Sequence, residues 1–197
     1  SVDGPSVLAA ITAAFIRDPH INEFGMLLND GPISLEDAQQ VAGQEGDEDI
    51  SVAVGCVLVM HHKIALAYWC LPALLPYVSK EILSVAATSE WWRDTSMCTK
   101  MESCTRALLL VVADHATAWN HRKRLIEYAA YSRELELVFV DVVQTKHQKS
   151  QETWAHRRWL VRPKLQNPFQ ELSVCSSASD HPHTHTPTHT HTHTHTH

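Results

Sequence analysis

A ten-residue pattern occurs twice in this chain, and its spacing constrains the fold more than any other feature. The first copy begins at Asp114 and reads DHATAWNHRK, and the second begins at Lys149 and reads KSQETWAHRR. At an offset of 35 residues, the matched pairs are Trp119 with Trp154, His121 with His156, Arg122 with Arg157, Lys123 with Arg158 and Leu125 with Leu160. A repeat of this length is typical of helical hairpins that stack on one another.

Each copy is predicted to form the turn and the first part of the second helix of a helical hairpin. The repeats span about residues 101–130 and 132–162. Ser132 and Ser150 precede the third and fourth arms, and serine is favoured at the N-terminus of a helix. Pro163 is expected to end the last arm, because proline interrupts a helix.

The chain ahead of the repeats is also predicted to be helical. Apolar residues at helical spacing predict a first helix that begins after Ser6 and stops at Pro19. Residues 31–55 are polar and acidic and predict a solvated loop, within which a short helix is expected to run to Ala42.

Two further stretches complete this part of the chain. Residues 57–60 stay open between an extended segment and a buried helical turn, because so short an apolar run has no periodicity. A helix is expected over residues 69–87, with Pro76 in its first turn. The predicted fold class is therefore all-α: an α–α superhelix of helical hairpin repeats.

The end of the chain has a different composition. From Ser176 onward it contains almost only Ser, Thr, His, Pro and Asp, and it ends in a Thr-His alternation. We expect residues 1–162 to form the helical repeat domain and residues 163–197 a disordered His/Thr-rich C-terminal tail, since such a segment lacks apolar side chains for a core. Imidazoles in the tail can bind a transition metal weakly, but a translated microsatellite explains a two-residue repeat more simply.

Charge and cysteine usage narrow the class of protein. A net charge of −6 argues against a nucleic-acid or anionic-membrane binder, which needs a surplus of Lys and Arg. The five cysteines form no C-x-x-C pair, so neither a zinc ribbon nor a disulfide scaffold is indicated. No signal peptide is visible, and the longest apolar stretch, residues 64–78, is too short to span a bilayer. We expect a cytoplasmic protein.

The repeated tryptophan and arginine are predicted to have a structural role. Residues three apart lie on one helix face, so Trp119 with Arg122 and Trp154 with Arg157 each form a packed, charged unit. Each arginine can lie along the apolar face while its head reaches a carboxylate or a helix carbonyl. If Trp154 is a core residue, Trp154→Ala costs about 3–5 kcal/mol.

The repeated histidines are predicted to be half-buried and to form hydrogen bonds across each hairpin. Neither His121 nor His156 has the H-E-x-x-H spacing or a second Cys/His pair that zinc needs, so no metal site is predicted. The basic residues that follow, including Arg158, leave RNA binding as an alternative that the acidic total disfavours.

The signature W-x-H-R-[RK] at this period resembles the protein prenyltransferase α-subunit repeat, found in the α subunits of farnesyl- and geranylgeranyltransferases. The stretches AFIRDPHINE from Ala14, TAWN from Thr117 and ETWAHRRW from Glu152, and Trp69-Cys70 with LLPYV from Leu74, carry the same resemblance. It covers roughly residues 8–28 and 56–162.

The resemblance implies a superhelix that wraps a separate β subunit, which holds the zinc ion and the isoprenoid pocket. The implied function is that of an α-type subunit, geranylgeranyl in type, of an enzyme that transfers an isoprenoid from its diphosphate to a cysteine near the C-terminus of a protein. No cofactor is expected in this chain. The implied partners are the β subunit, the protein substrate and the isoprenoid diphosphate.

The resemblance also implies a role for Lys149. A lysine five residues before the repeat tryptophan reaches the isoprenoid diphosphate in the farnesyltransferase α subunit, and a cation there stabilises the departing negative charge. The other interpretation is an exposed lysine at a helix start, because Gln151 stands where the family has tyrosine. Asp114, at the same position of the first copy, cannot act in this way.

The chain departs from the family because it has two repeats and because its amino-acid composition changes at Pro163. Stacked repeats usually need three or more neighbours to bury a continuous core. We therefore expect a truncated form, inactive by itself. A non-enzymatic helical-repeat scaffold that binds proteins and an inactive gene-model product remain the alternatives.

Overall fold

The computed structural model describes residues 2–42 and 49–162, which contain seven α-helices and a four-stranded sheet. The elements are α1 (Gly4–Arg17), β1 (Glu23–Leu27), α2 (Leu35–Ala42), β2 (Ile50–Ala53), β3 (Val57–Met60), β4 (Lys63–Ala67), α3 (Leu71–Ala86), α4 (Thr95–Val111), α5 (Ala116–Glu127), α6 (Arg133–Lys146) and α7 (Gln151–Val161). Short 3-10 turns precede α3 and α4. The tail predicted to be disordered lies outside the described residues.

The all-α prediction is wrong for the four strands, which form a sheet of order β1-β4-β3-β2. Strand β1 is parallel to β4, and the other neighbours are antiparallel. Within residues 31–55, the short helix expected to run to Ala42 is confirmed as α2, whereas β2 stands where a solvated loop was predicted. These strands have four or five residues, too few for a sequence period to separate strand from helix.

The turn between β3 and β4 shows why the hairpin was not recognised from the sequence. Met60 pairs with Lys63, so only His61 and His62 form the turn. Both have positive φ, at 49° and 62°. Two-residue hairpin turns of this kind are usually marked by Asn and Gly, and a His-His pair carries no such signal.

The helices ahead of the repeats lie near their predicted positions, with different ends. Asp3, rather than Ser6, caps α1: its carboxylate accepts a hydrogen bond from the Ser6 N–H at 2.8 Å. Pro76 lies inside α3, and Pro72 occupies the first turn. The predicted first turn at Pro76 is therefore wrong.

The four repeat helices form the two predicted hairpins, α4–α5 and α6–α7. Helix α4 starts earlier than predicted, because Asp94 caps it by accepting from the Met97 N–H at 3.0 Å. Ser132 caps α6, as predicted, with its hydroxyl oxygen accepting from the Leu135 N–H.

The sheet packs against the second hairpin through β1. The Phe24 N–H donates to Thr145 Oγ1 at 3.0 Å, and the Phe24 ring stacks on His147 at 6.4 Å between centroids. Sheet and repeats thus share one core. None of the helices in the described residues is long and apolar enough to cross a membrane.

Candidate functional site

The interface between the α4–α5 and α6–α7 hairpins contains Trp119 and Arg122 of the first copy. Trp119 is 1% exposed, and its indole N–H donates to the Ala113 carbonyl at 2.8 Å. The second hairpin covers its ring, with His156 stacked at 4.5 Å and Phe139 at 6.1 Å. One indole therefore contacts both helices of the following hairpin.

Arg122 lies beside Trp119 on α5 and is fully buried. Its Nε and Nη2 atoms donate to the Glu136 carboxylate of α6 at 2.6–3.0 Å. Its Nη1 donates to the carbonyl of Glu102 and to the hydroxyl of Thr105, both on α4. Arg122 thus joins α4, α5 and α6.

The charges of this buried cluster balance. Arg122 and Arg106 face Glu136 and Glu102, with Arg106 on Glu102 at 2.6 Å. Burial by itself raises the pKa of Glu136, but the charge of Arg122 and hydrogen bonds from His156 and Arg122 outweigh burial and lower the pKa to about 2. Burial opposes the charge of Arg122, yet the two carboxylates outweigh it and raise the Arg122 pKa.

His156 completes the cluster from α7. Its Nε2 lies 2.7 Å from Glu136 Oε1, and its ring stacks between Trp119 and Trp159. Burial lowers the pKa of His156 despite the nearby Glu136. A neutral imidazole with its proton on Nε2 donates to Glu136, so this histidine forms the predicted bond across its hairpin, but it is fully buried rather than half-buried.

His121 has different surroundings although it matches His156 in the pattern. Its ring lies edge-on to Trp91 at 5.8 Å, and its buried Nδ1 has no hydrogen-bond partner in the described part of the chain. The residue that matches Glu136 in the first hairpin is Met101, which offers no carboxylate. The predicted bond across the first hairpin is therefore absent at Nδ1.

Trp154 keeps the local geometry of Trp119 but not its burial. Its indole N–H donates to the carbonyl six residues earlier, that of Gln148, at 2.8 Å, as Trp119 does with Ala113. Yet Trp154 is 44% exposed. The prediction of a core Trp154 is wrong, because the ring contacts that bury Trp119 come from the following hairpin.

The basic residues after Trp154 lie toward solvent. Arg157 forms an ion pair with Asp141 and donates from Nη1 to Gln144, both on α6. Arg158 is exposed. The second copy therefore repeats the spacing of the first without its buried network.

Lys149 lies exposed in the connection between α6 and α7. It lines a shallow polar pocket with Asp114, Lys146, His147 and Ser150. Asp114 accepts there from the Ser150 hydroxyl at 2.8 Å and from the Glu152 N–H at 3.2 Å. Lys146 and Lys149 open to solvent at this pocket, and hydrogen bonds from Ser150 and Glu152 hold the Asp114 carboxylate.

Glu136 and Glu102 are the site residues that the repeat pattern did not reveal. Neither recurs at the offset of 35, since the matching positions are Met101 and Leu137. A usable signal exists for Glu136, because it falls at helical spacing with the buried Phe139, Val140 and Val143. A carboxylate on an apolar face needs a partner, and Arg122 is the one it has. Across the described residues, no three His, Cys, Asp or Glu side chains are grouped to hold a metal ion.

Residues 133–162 match the family model described as the protein prenyltransferase alpha subunit repeat. The chain is also similar to proteins named protein prenyltransferase alpha subunit repeat-containing protein 1. The zebrafish (Danio rerio) protein is 30% identical over 156 residues, covering 79% of this chain and 32% of that protein. The human protein (Homo sapiens) is 32% identical over 170 residues, covering 86% and 36%. The Xenopus laevis 1-B protein is 32% identical over 176 residues, covering 86% and 33%.

These matches confirm the resemblance stated from the sequence. The family model falls on α6 and α7, the hairpin that carries Glu136, His156 and Arg157. The chain spans about a third of the length of the curated relatives it matches.

Proposed function

Since this chain carries a protein prenyltransferase alpha subunit repeat, we propose that it acts as an α-type subunit of a protein prenyltransferase, geranylgeranyl in type. It pairs with a zinc-bearing β subunit in the cytoplasm. The complex transfers an isoprenoid from its diphosphate to a cysteine thiolate near the C-terminus of a protein, the thiolate being the reactive form of cysteine.

The stacking of the two hairpins is the observation that supports this function best. An α-type subunit contributes shape. Arg122 and Glu136 fix one hairpin on the next through hydrogen bonds of 2.6–3.0 Å, and His156 lies 2.7 Å from Glu136 within the second hairpin. A buried pair of this kind specifies one relative orientation, because any other leaves a charge unpaired away from water. A rigid stack is the property that a partner-wrapping subunit needs.

The pocket around Lys149 supports a supplementary role in the same reaction. Lys149 and Lys146 stand beside each other at the α6–α7 connection with their side chains in solvent. We assign to Lys149 the stabilisation of negative charge on the departing diphosphate, which a pre-placed cation favours in the transition state.

Co-purification tests the pairing. This chain is expressed with a geranylgeranyltransferase β subunit, and an intact α subunit of the family serves as the positive control. We expect a stable complex. If the control pairs with the β subunit while this chain stays alone, the enzyme-subunit function is rejected.

Lys149→Ala tests the supplementary role in that complex. We expect slower prenylation at an unchanged Tm, because the side chain is exposed. Lys80→Ala is the matched control, since it removes an equal charge from an exposed position on α3. Equal prenylation rates for the two variants would show that Lys149 has no role in the reaction.

A non-enzymatic protein-binding scaffold is the second candidate, and the sheet of residues 23–67 favours it. This sheet adds a surface that an all-helical α subunit lacks. A scaffold predicts capture of a protein partner without the β subunit and without isoprenoid transfer, so the same co-purification separates the two functions.

A further inference from the structure

We propose that His20 and His62 bind a divalent ion of the late first transition row, such as Zn²⁺, and that the Asp18 carboxylate orients the His62 ring for this purpose. The two histidines line a cleft of about 410 Å³ between the end of α1 and the turn that joins β3 to β4. The proposed enzymatic role uses none of these residues, so the inference goes beyond it.

The stretch AFIRDPHINE, which begins at Ala14, supplies one wall of this cleft. Helix α1 ends at Asp18, whose backbone N–H donates to the Ala14 carbonyl at 2.9 Å. Pro19 has no N–H with which to continue the helix, so the chain leaves it at this point. The His20 N–H then donates to the Asp18 carboxylate at 2.9 Å, which holds His20 beside that carboxylate.

The other wall includes the two-residue turn between β3 and β4. His61 and His62 form this turn with positive φ, a conformation that is uncommon for residues other than glycine. The Asn22 N–H donates to the His62 carbonyl at 2.8 Å, which fixes the turn against the chain that follows α1. Asparagine and glycine would relieve the strain of such a turn, and strained backbone is concentrated at functional sites. The strain therefore favours a use for the imidazoles.

Asp18 fixes the orientation of the His62 ring. His62 Nδ1 lies 3.0 Å from Asp18 Oδ2 and 3.1 Å from Oδ1. A proton on Nδ1 donates to that carboxylate and leaves the lone pair of Nε2 for a metal ion. Metal-binding histidines commonly have a carboxylate on their second nitrogen in this way. The Asp18 side chain is 17% exposed and that of His62 is 56% exposed, so the imidazole is the more accessible of the two groups.

The ring of His20 lies at the distance that a shared ion requires. Its centroid is 5.7 Å from that of His62. With metal–nitrogen bonds of about 2.0–2.1 Å, two imidazoles on one tetrahedral ion have centroids roughly 5 Å apart. The His20 side chain is exposed, so its ring is able to turn toward the ion. His20 and His62 can therefore ligate one ion together.

The charges that line the cleft favour a cation over an anion. Two carboxylates, those of Asp18 and Asp49, oppose one guanidinium, that of Arg17, whose Nη2 donates to the Ser51 hydroxyl. With neutral imidazoles the lining is therefore net negative. Imidazole nitrogens suit zinc, copper and nickel, whereas magnesium and calcium take oxygen ligands. Two protein ligands leave coordination positions open for water or for a donor atom of another molecule.

Backbone hydrogen exchange of the full chain, with and without Zn²⁺, tests this site. We expect Zn²⁺ to slow the exchange of amides in residues 20–22 and 61–63, because the ion joins the two segments. A local readout is needed because the imidazoles of the C-terminal tail also bind such ions. If Zn²⁺ leaves the exchange of both segments unchanged, the proposal is overturned.

His62→Asn removes one ligand. Asparagine is chosen because it tolerates the positive φ of this position. We expect the protection by Zn²⁺ to be lost. His61→Asn is the matched control, since it removes an exposed imidazole from the same turn, also at positive φ, and should keep the protection. Protection that survives His62→Asn, or that both variants lose equally, would contradict the assignment.

Asp18→Asn gives a second measurement, in which both ligands remain. Loss of the carboxylate behind a metal-bound imidazole weakens metal affinity by about 10–100-fold, so the Zn²⁺ concentration at half protection should rise by that factor. An unchanged midpoint would overturn the positioning role of Asp18. Equal protection by Mg²⁺ would assign the cleft to oxygen ligands, and protection by inorganic phosphate instead of Zn²⁺ would assign it to an anion. Either result would overturn the proposal.

Discussion

Arg122 and Arg158 follow tryptophans of the same signature, but they differ in what their removal is expected to cost. Arg122 is wholly buried between two carboxylates, so the loss of its charge leaves Glu136 unpaired away from water. Breaking a buried ion pair from one side typically costs about 3–5 kcal/mol, whereas exposed charges contribute about 0–1 kcal/mol.

We therefore expect Arg122→Met to lower the free energy of unfolding by about 3–5 kcal/mol, because it breaks such a buried pair. Arg158→Met, the matched control on the exposed side of α7, should change it by less than about 1 kcal/mol. Urea unfolding measures both. Similar values would mean that the buried cluster does not hold the hairpins together.

The two tryptophans give a parallel comparison. Trp119→Ala removes a ring that His156 and Phe139 cover, and a large core truncation of this kind costs about 3–5 kcal/mol. Trp154→Ala should cost about half of that or less, because nearly half of its surface is already in water. Thermal unfolding of both variants tests the order, which an equal cost would contradict.

His156 makes stability depend on pH. Burial lowers its folded pKa below the ordinary 6.5, so the unfolded chain binds the proton more readily and stability is lost as pH falls below about 6.5. The groups that face it are Glu136, Arg122 and Lys123. The lowered pKa of the buried His121 acts in the same direction.

We expect the free energy of unfolding to fall between pH 7 and pH 5.5, and His156→Gln to flatten that slope. His20→Gln, which removes an exposed imidazole, is the control variant. Chemical unfolding at several pH values provides the measurement, and a wild-type slope in His156→Gln would contradict the assignment.

At the scale of elements, a hydroxyl on α6 joins the sheet to the repeats, beside the ring contact between Phe24 and His147. Thr145 on α6 accepts from the Phe24 N–H and donates to the Val142 carbonyl at 2.6 Å, so one hydroxyl joins β1 to the second hairpin. Helix α7 depends on the first hairpin in the same way, because Asp114 accepts from its first turn. In both cases, a side chain from another element accepts a hydrogen bond from a backbone N–H, of β1 in one case and of α7 in the other.

Thr145→Val should lower the free energy of unfolding by about 1–3 kcal/mol, because it leaves a strand N–H without an acceptor. Thr99→Val is the control, since its exposed hydroxyl only donates back to its own helix at Thr95. Hydrogen exchange of residues 23–27 should rise in Thr145→Val alone. An unchanged exchange rate would show that the hydrogen bond to Thr145 does not stabilise β1.

At the scale of the whole molecule, the second hairpin contacts the first hairpin, the sheet and α1. It contacts the first hairpin through Glu136 and the sheet through Thr145, and Phe139 meets Phe15 of α1 edge-on at 6.5 Å. Residues 1–161 accordingly form one compact unit. A core shared in this way is expected to unfold in one cooperative step.

We expect far-ultraviolet circular dichroism and tryptophan fluorescence to give coincident unfolding curves. The first reports the helices, and the second reports rings of the interface such as Trp119. Two separated transitions would show that the sheet region and the repeats fold independently.

The sequence by itself determined the two hairpins and the helix cap at Ser132, but not the cap at Asp94. Those features are local: helical periodicity and capping act within a few residues of each other, and a recurrence at 35 residues records them twice. Only the tertiary structure decided the sheet, whose short strands pair across the chain. It also decided that Trp119 is buried while Trp154 is exposed. An indole is buried by what stacks on it, and that neighbour lies outside the pattern that contains it.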